Sequence, residues 1–390
     1  MLRRMSASIK IARLCWLAGF GIVILSSAAD ATPQFARKYR VDCSHCHSLP
    51  PRLNDRGLDF VATGYRFREG AAVARTVPLA VWNTIDAEWR HSAGFSKVFA
   101  SRVELISAGS IGDSGFSYFA EWRALSQSLQ GNRRLLNRTG RFEDLFVRAP
   151  LAFDGALSLT TGQFRALSQV DVSLRLGVSE PLLFSSSVPA TTRARSARLT
   201  SLRAFSASGR QPGVRLEYQQ RAPQGSADGW FAAATLPLAG ELTIPFADAA
   251  SFEFEARAKG IFLETYRRWG LTSIGGHSFL GDRRRLGTVV VTHDFANRVA
   301  VLAGVGAFHA AGITDGRLSV GGELTLSPNV VAGVRVDHRT RQRVDPVVLL
   351  YGNGHLPFGP PAFRQALRLQ IEQRVQERSH TTTIALSHVF

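Results

Sequence analysis

Apolar and polar side chains alternate along most of the chain from about residue 80 onward. The alternation is clearest in four stretches, 116–123, 214–219, 252–258 and 367–372. A period of two puts successive side chains on opposite faces of a strand, and here one face is apolar while the other is polar or charged. The pattern therefore predicts an all-β chain whose strands separate an apolar from a wet environment.

The alternating stretches also predict how the strands are connected. Counted back from Phe390 they give about sixteen strands, near 80–91, 96–108, 114–125, 140–150, 155–165, 212–221, 229–238, 251–267, 271–279, 286–294, 298–309, 316–326, 329–338, 345–352, 363–373 and 381–390. An even count puts both ends of the barrel on the periplasmic side, where short turns such as 295–297 and 327–328 belong. With an aromatic residue closing the last strand, these features predict a transmembrane antiparallel β-barrel of the bacterial outer membrane over 76–390. A soluble β-sandwich, whose strands also alternate, is the alternative.

The polar face and the longer connections carry most of the charge. Five residues are expected to line a hydrophilic lumen: Arg215, Glu217, Glu253, Glu255 and Arg257. Connections placed outside the membrane are rich in arginine, at 133–138, 193–210, 283–285 and 339–343. We expect these arginines to pair with lipopolysaccharide phosphates, and a specific anionic-substrate site is the alternative. The segment 166–211 is too long for an ordinary connection and is either an external loop or one that folds into the lumen.

The first 31 residues resemble an export signal. A basic start precedes an apolar stretch at 14–25, and small residues flank a cleavage position at 29–31. We therefore expect residues 1–31 to be a signal peptide, with a membrane anchor as the alternative. The remaining chain keeps 43 Lys and Arg against 29 Asp and Glu, a balance of +14. Such an excess favours anionic surfaces, and export argues against nucleic acid as the partner.

The two cysteines that follow the signal lie three residues apart and directly precede a histidine. Cys43, Cys46 and His47 form the C-x-x-C-H pattern of covalent c-type haem attachment. Two thiols at this spacing can form thioethers with the two haem vinyl groups, and the next residue supplies the proximal imidazole. The sequence therefore predicts one covalently attached haem c, with its iron on His47. A redox dithiol is the alternative.

The sixth position of the iron is less determined. The chain contains Met1 and Met5 as its two methionines, both within the signal, so a His/Met pair is excluded. The distal ligand is then another donor, or the position is open. The candidate histidines are His91, His277, His293, His309, His338, His355, His380 and His388.

The residues around the haem motif resemble those of a known family. The matching stretches are 35–39, 43–47, 51–60 and 64–65, and the family is the fused monohaem c-type cytochrome–porins of the outer membrane, best known from iron-oxidising bacteria. The resemblance implies that a short haem segment, 32–75, sits in or against the barrel opening. It also implies electron transfer across the outer membrane, with ferrous iron outside as the associated donor.

Placing a haem segment in the barrel has a physical rationale of its own. About forty residues are too few to build much of a core, and a barrel of this size is a hole unless it is plugged. Within this arrangement His355 is the favoured distal ligand, because the glycines and prolines of 351–358 predict a periplasmic turn that could aim it at the haem. By parity, His91, His309 and His338 should face lipid.

Three functions remain open at this point. The first is an electron conduit between an extracellular donor and a periplasmic electron carrier. The second is a diffusion porin with a structural or gating haem plug. The third is a haem enzyme such as a peroxidase, which would use an open sixth position.

Overall fold

The fold was analysed in a computed structural model of the chain. The structure describes residues 33–390 except 50–51, 68–77, 92–93, 113, 131–132, 137–140, 153–154, 168–182, 184–209, 221–228, 239–241, 244–250, 253–259, 282–283, 296–297, 311–312, 328, 341–346, 359–364, 377–378 and 390. The expected signal peptide, residues 1–31, and the predicted lumen residues Glu253, Glu255 and Arg257 lie outside this described part.

The described residues form sixteen antiparallel strands that close into one barrel. In chain order these are β1 Leu79–Arg90, β2 Phe95–Ser110, β3 Ser117–Gln130, β4 Arg141–Ala152, β5 Leu157–Arg165, β6 Arg210–Gln220, β7 Gly229–Pro237, β8 Gly260–Trp269, β9 Thr272–Gly281, β10 Arg284–Phe295, β11 Val299–Ala310, β12 Ile313–Ser327, β13 Val330–Arg339, β14 Val347–Phe358, β15 Gln365–Gln376 and β16 Ser379–Val389. Each strand pairs with its neighbour in sequence, and β16 closes the ring on β1 from Thr381↔Arg90 to Val389↔Trp82. Closure leaves no unpaired strand edge, which a membrane requires.

The alternation of the sequence becomes an outward and an inward face. Outward side chains such as Val98 (57% exposed), Val305 (57%) and Leu236 (55%) form an apolar surface. Inward neighbours such as Glu104 and Arg335 are buried. An apolar exterior around a polar interior is the inverse of a soluble barrel, so this is a transmembrane barrel of the outer-membrane type. None of the helices in the described ranges is long and apolar enough to cross a membrane.

The connections differ in length at the two ends. The end that holds the start of β1 and the end of β16 carries short turns, such as 270–271 between β8 and β9 and 296–298 between β10 and β11. The other end carries the long connections 166–209 and 238–259. Short turns mark the periplasmic end, so both termini of the barrel lie on that side, as the sequence predicted.

The start of one predicted strand and one predicted turn are wrong. The strand expected over 251–267 begins at Gly260 instead, because Ser251–Phe252 pairs with Leu242–Thr243 in a separate short hairpin. The turn expected over 351–358 is the second half of β14. Its backbone is satisfied on both sides, by β13 as far as Gly354 and by β15 as far as Phe358, and this pairing outweighs the turn preference of its glycines.

The residues before the barrel form a small segment of their own. Helix α1 spans Pro33–Tyr39, a 3₁₀ turn spans Cys43–His45, two short strands, His47–Leu49 and Arg52–Leu53, pair with each other, and helix α2 spans Asp55–Ala62. We call residues 33–67 the N-terminal segment. The side chain of Asn54 caps α2 by accepting a hydrogen bond from the backbone N–H of Gly57 at 2.9 Å.

Candidate functional site

The C-x-x-C-H motif lies in a tight loop that α2 holds in place. Asn54 makes the connection: its backbone N–H donates to the carbonyl oxygen of Cys46 at 2.9 Å, and its side-chain amide donates to the carbonyl of Ser44 at 3.0 Å. Gly57 lies so close to this loop that an added Cβ would clash with the carbonyl oxygen of Cys46. The loop and the helix therefore pack as one rigid unit.

The thiol of Cys46 is buried and uncharged at neutral pH. The residue is 7% exposed, and burial raises the pKa of the thiol to about 11, although the nearby guanidinium of Arg56 acts in the opposite direction. Arg56 also places its Nη1 3.2 Å from the Nε2 of His45, the residue that lies between the two cysteines in the sequence.

A cluster of aromatic rings contacts the motif through Phe67. Phe35 lies 5.1 Å from both Phe60 and Tyr65, and Phe67 lies 4.6 Å from Phe60 and 5.0 Å from the ring of His45. Two thiols three residues apart, a following imidazole and an apolar ring cluster form a donor set and a surface that fit a c-type haem. Among the described residues no cluster of three His, Cys, Asp or Glu side chains offers a separate metal site.

The N-terminal segment docks on the inner wall at the periplasmic end of the barrel. Arg148 of β4 donates through Nη1 to the carbonyl oxygen of Val61 in α2 at 2.8 Å. The ring of Tyr65 packs 6.4 Å from that of Phe119 on β3. Further bonds run from Arg37 to the carbonyl of Leu79 at 2.6 Å and from Arg66 to the carbonyl of Gly112. The segment that bears the C-x-x-C-H motif is therefore fixed at the barrel mouth.

Ion pairs line part of the inner wall. Arg148 pairs with Glu217 at 2.8 Å, and Arg123 pairs with Glu104 at 2.5 Å and with Glu143 at 3.3 Å. On the opposite side, Arg317 pairs with Asp315 and Arg335 with Asp337, both at 3.1 Å. Arg215 and Glu217 are buried in this wall, which agrees with their expected lumen position. The lumen is hydrophilic along these strands.

A second sector of the inner wall, on β7–β11, carries an apolar cluster beside its polar residues. Leu167 and Leu183, which belong to the long connection after β5, are fully buried in one cluster with inward residues that include Phe262, Val290 and Leu302. At Leu167 and Leu183 the connection therefore lies against the inner wall, and the rest of it, 168–182 and 184–209, lies outside the described residues. A local signal was lacking, because neither leucine belongs to a periodic stretch.

The histidines proposed as distal ligands are spread around the barrel. His355 lies near the periplasmic end of β14, opposite Arg368 of β15. The side chain of His355 lies outside the described part. Its role as a haem ligand stays a prediction, although the turn on which that prediction was based is absent. His277 faces the lumen wall, is 2% exposed and places Nε2 3.5 Å from Oε1 of Glu264. His309 and His338 alternate with inward residues and share the outer face, as expected from parity.

The aromatic cluster continues as a row of rings along the inner wall, which the sequence did not reveal. From Tyr65 the row passes to Phe119 at 6.4 Å, to Phe146 at 5.7 Å and to Phe164 at 6.1 Å. Phe164 is the last residue but one of β5, at the extracellular end, and the guanidinium of Arg215 lies 4.6 Å from its ring. These rings come from three neighbouring strands, so pairing register, not sequence spacing, brings them together.

Among solved structures, several barrels are similar in fold to this chain. OmpF of Salmonella typhi, solved in complex with daunomycin, is 10% identical, with a TM-score of 0.49, over 80% of this chain and 97% of its own. A mutant of the Rhodopseudomonas blastica porin is 9% identical, with a TM-score of 0.48, over 80% and 99%. A loop-deletion mutant of OmpT, an outer membrane protein of Vibrio cholerae, is 9% identical, with a TM-score of 0.46, over 81% and 99%. No protein-family model and no curated protein sequence matches the chain.

Proposed function

We propose that this outer-membrane barrel carries one c-type haem on its N-terminal segment and passes electrons between an extracellular donor and a periplasmic carrier. Cys43 and Cys46 would hold the haem covalently, and His47 would be its proximal ligand. The observation that carries the proposal is the position of this motif, in a rigid loop docked on the inner wall at the periplasmic mouth. When bound, a c-type haem supplies one-electron exchange between ferric and ferrous iron.

The chain's own part in this function is to hold the attachment loop and to supply a path of closely spaced rings along the lumen wall. Asn54 and Gly57 fix the loop, and Arg148 fixes the segment to the wall. The row from Tyr65 to Phe164 runs along the wall from the docked segment to the extracellular end of β5, with neighbouring ring centroids 5.7–6.4 Å apart. Packed atoms carry electron tunnelling better than an open gap, so this row supports electron flow along the β3–β5 wall.

Reduced iron is the donor that the family resemblance implies. The chain is strongly basic, with a formal net charge of +17, and a positive surface repels a bare divalent cation. Iron held by anionic ligands is therefore the form that we favour at the extracellular end. The electron acceptor at the other end would be a soluble periplasmic carrier that reaches the docked segment.

A second candidate function is passive diffusion of small polar solutes, with the N-terminal segment as a structural or gating plug. It rests on the ion pairs of the inner wall, such as Arg123–Glu104 and Arg335–Asp337, which make the lumen hydrophilic. This function requires only the barrel and its polar wall. It needs neither haem nor an electron partner.

Vesicles that trap oxidised mitochondrial-type cytochrome c can separate the two functions. The purified protein is reconstituted, dithionite is added outside, and reduction of the trapped cytochrome is followed by absorbance. The matched control is the double variant Cys43→Ser/Cys46→Ser, which can form no thioether to haem. Electron conduction predicts fast reduction that the control loses. Equal rates in both would show that dithionite diffuses through the lumen and would support the porin function.

Haem attachment and the iron donor are tested separately. A haem stain of the denatured protein reports covalent attachment, which Cys43→Ser and Cys46→Ser should weaken or abolish. Stopped-flow mixing of the oxidised protein with ferrous citrate under anoxia should then give rapid appearance of the reduced haem bands. A haem that dithionite reduces but ferrous citrate does not would exclude this form of iron as donor.

A further inference from the structure

The outer face of the barrel carries a concave apolar groove across β5–β11. Its volume is about 960 Å³. The floor is made of small outward residues, among them Ala232, Ala234, Gly276 and Gly287, and exposed branched side chains such as Val305 stand at its rim. A Cβ added at Gly287 would meet nothing within 4 Å, so the floor is open to the outside. The groove has the apolar lining expected of a surface that faces lipid chains.

A cation lies between two exposed tryptophans at the periplasmic end of this groove. The guanidinium of Arg267 is 4.7 Å from the ring of Trp230 and 5.9 Å from that of Trp269. The two tryptophans are 45% and 47% exposed. Tryptophan marks the headgroup level of a membrane, and the adjacent short turn 270–271 marks the periplasmic leaflet. Arg267 is therefore at the depth of the lipid phosphates.

The cation and the groove are continuous along the outer face. On β8, Arg267 is the next outward residue after Thr265, which lines the groove, and on β7 Trp230 is the next outward residue before Ala232. Two residues of strand span roughly 7 Å. The phosphate of a glycerophospholipid is separated from the first carbons of its acyl chains by a similar distance.

We propose that this surface binds one glycerophospholipid of the periplasmic leaflet, with its phosphate on Arg267 between the two tryptophans and an acyl chain in the groove. The charge of Arg267 complements a phosphate. The small side chains on the floor of the groove let an acyl chain make more contacts than it would on a flat barrel wall. A second copy of the chain fits less well. A two-fold contact sets the same patch against itself, and two concave faces would enclose a void.

The test uses the delipidated full-length protein and phosphatidylglycerol as the probe, with retention measured by native mass spectrometry. We expect one retained lipid, and dioleoylglycerol, which lacks the phosphate, should not be retained. Arg267→Gln should reduce retention about tenfold. Gly287→Leu, whose Cβ meets no atom within 4 Å and whose side chain enters the groove, should do the same.

Matched controls lie on the same strands or the same face. Arg268→Gln removes a neighbouring arginine that donates to the carbonyl of Gly270, and Gly322→Leu adds an equal side chain to the outer face away from the groove. Both should retain the lipid. Unchanged retention in Arg267→Gln and Gly287→Leu would overturn the proposal. So would light scattering that shows an oligomer which Gly287→Leu converts to a monomer, because the groove would then be a contact between chains. Neither outcome depends on haem.

Discussion

Arg148 is the wall residue whose replacement should release the N-terminal segment from the barrel. It is 7% exposed and uses its whole guanidinium group: Nε donates to Ser158, Nη2 to Glu217 and Nη1 to the carbonyl of Val61, each at 2.8 Å. The first two bonds stay within the wall. The third bond ties the wall to the C-terminal end of α2, where the helix dipole favours a cation.

The magnitude follows from that third bond. A hydrogen bond from a charged group contributes about 2 kcal/mol, and about 1.4 kcal/mol is a factor of ten in an equilibrium. Removing it should therefore raise the undocked population roughly 30-fold. The bonds from Arg37 and Arg66 and the ring of Tyr65 remain, so the segment stays mostly docked. The perturbation should loosen the segment without unfolding it.

Limited trypsin digestion measures this population. Lys38 and Arg40 lie in the segment, and cleavage there follows the open population when opening is fast relative to cleavage. We would compare the wild type with the pair Arg148→Gln/Glu217→Gln, in which the second change avoids a stranded buried carboxylate. Ser158→Ala is the matched control, since it removes only a bond within the wall. The double variant should be cleaved roughly 30-fold faster and the control less than threefold faster.

Barrel integrity is checked by the heat-dependent shift of gel migration that folded barrels show. If the double variant keeps an intact barrel and is cleaved at the wild-type rate, the Arg148–Val61 bond does not hold the segment. If the control is cleaved as fast as the double variant, the effect comes from the wall and not from docking.

Three further predictions concern the haem loop and the lumen. Gly57→Ala should lower haem attachment, measured by haem stain, because its Cβ clashes with the carbonyl of Cys46, and overpacking of this kind costs about 1–3 kcal/mol. In haem-free protein, alkylation of Cys46 should rise with pH only towards its pKa of about 11, since the thiolate is the reactive form, and Arg56→Gln should move the rise to still higher pH. Leu183→Ala should raise single-channel conductance, because it removes packing of about 2–5 kcal/mol between this residue and the inner wall.

The barrel could be predicted from the sequence because the pattern that marks each strand lies within about ten consecutive residues. Alternation shows each strand, and each of the sixteen predicted strands overlaps an observed one. The errors arise where pairing overrides local preference. Gly352 and Gly354 favour a turn, yet both lie in β14 with partners on either side. The stretch at 251–252 alternates like a barrel strand but pairs with 242–243.

The candidate site could be predicted only in part. The C-x-x-C-H motif is a fixed spacing of five residues, so Cys43, Cys46 and His47 can be singled out from the sequence, and their role in binding haem stays a prediction. The docking of this motif is a contact between residues far apart in sequence: Arg148 and Val61 are separated by 87 positions. No periodicity or motif encodes such a pair. The same holds for Leu183, which enters the lumen from a connection without a regular pattern.

The N-terminal segment and the barrel share one core, and this bears on how the protein works. The aromatic cluster of Phe35, Tyr39, Phe60 and Tyr65 is completed by Ala108 from β2, with Phe119 from β3 packed against it. A segment of this size buries too little apolar surface to be stable alone, so the barrel wall supplies the missing part. The loop that bears Cys43, Cys46 and His47 therefore has its full geometry only when the segment is docked. A change that loosens docking should therefore alter the reactivity of the Cys46 thiol and the permeability of the lumen together, which a segment on a flexible tether would not do.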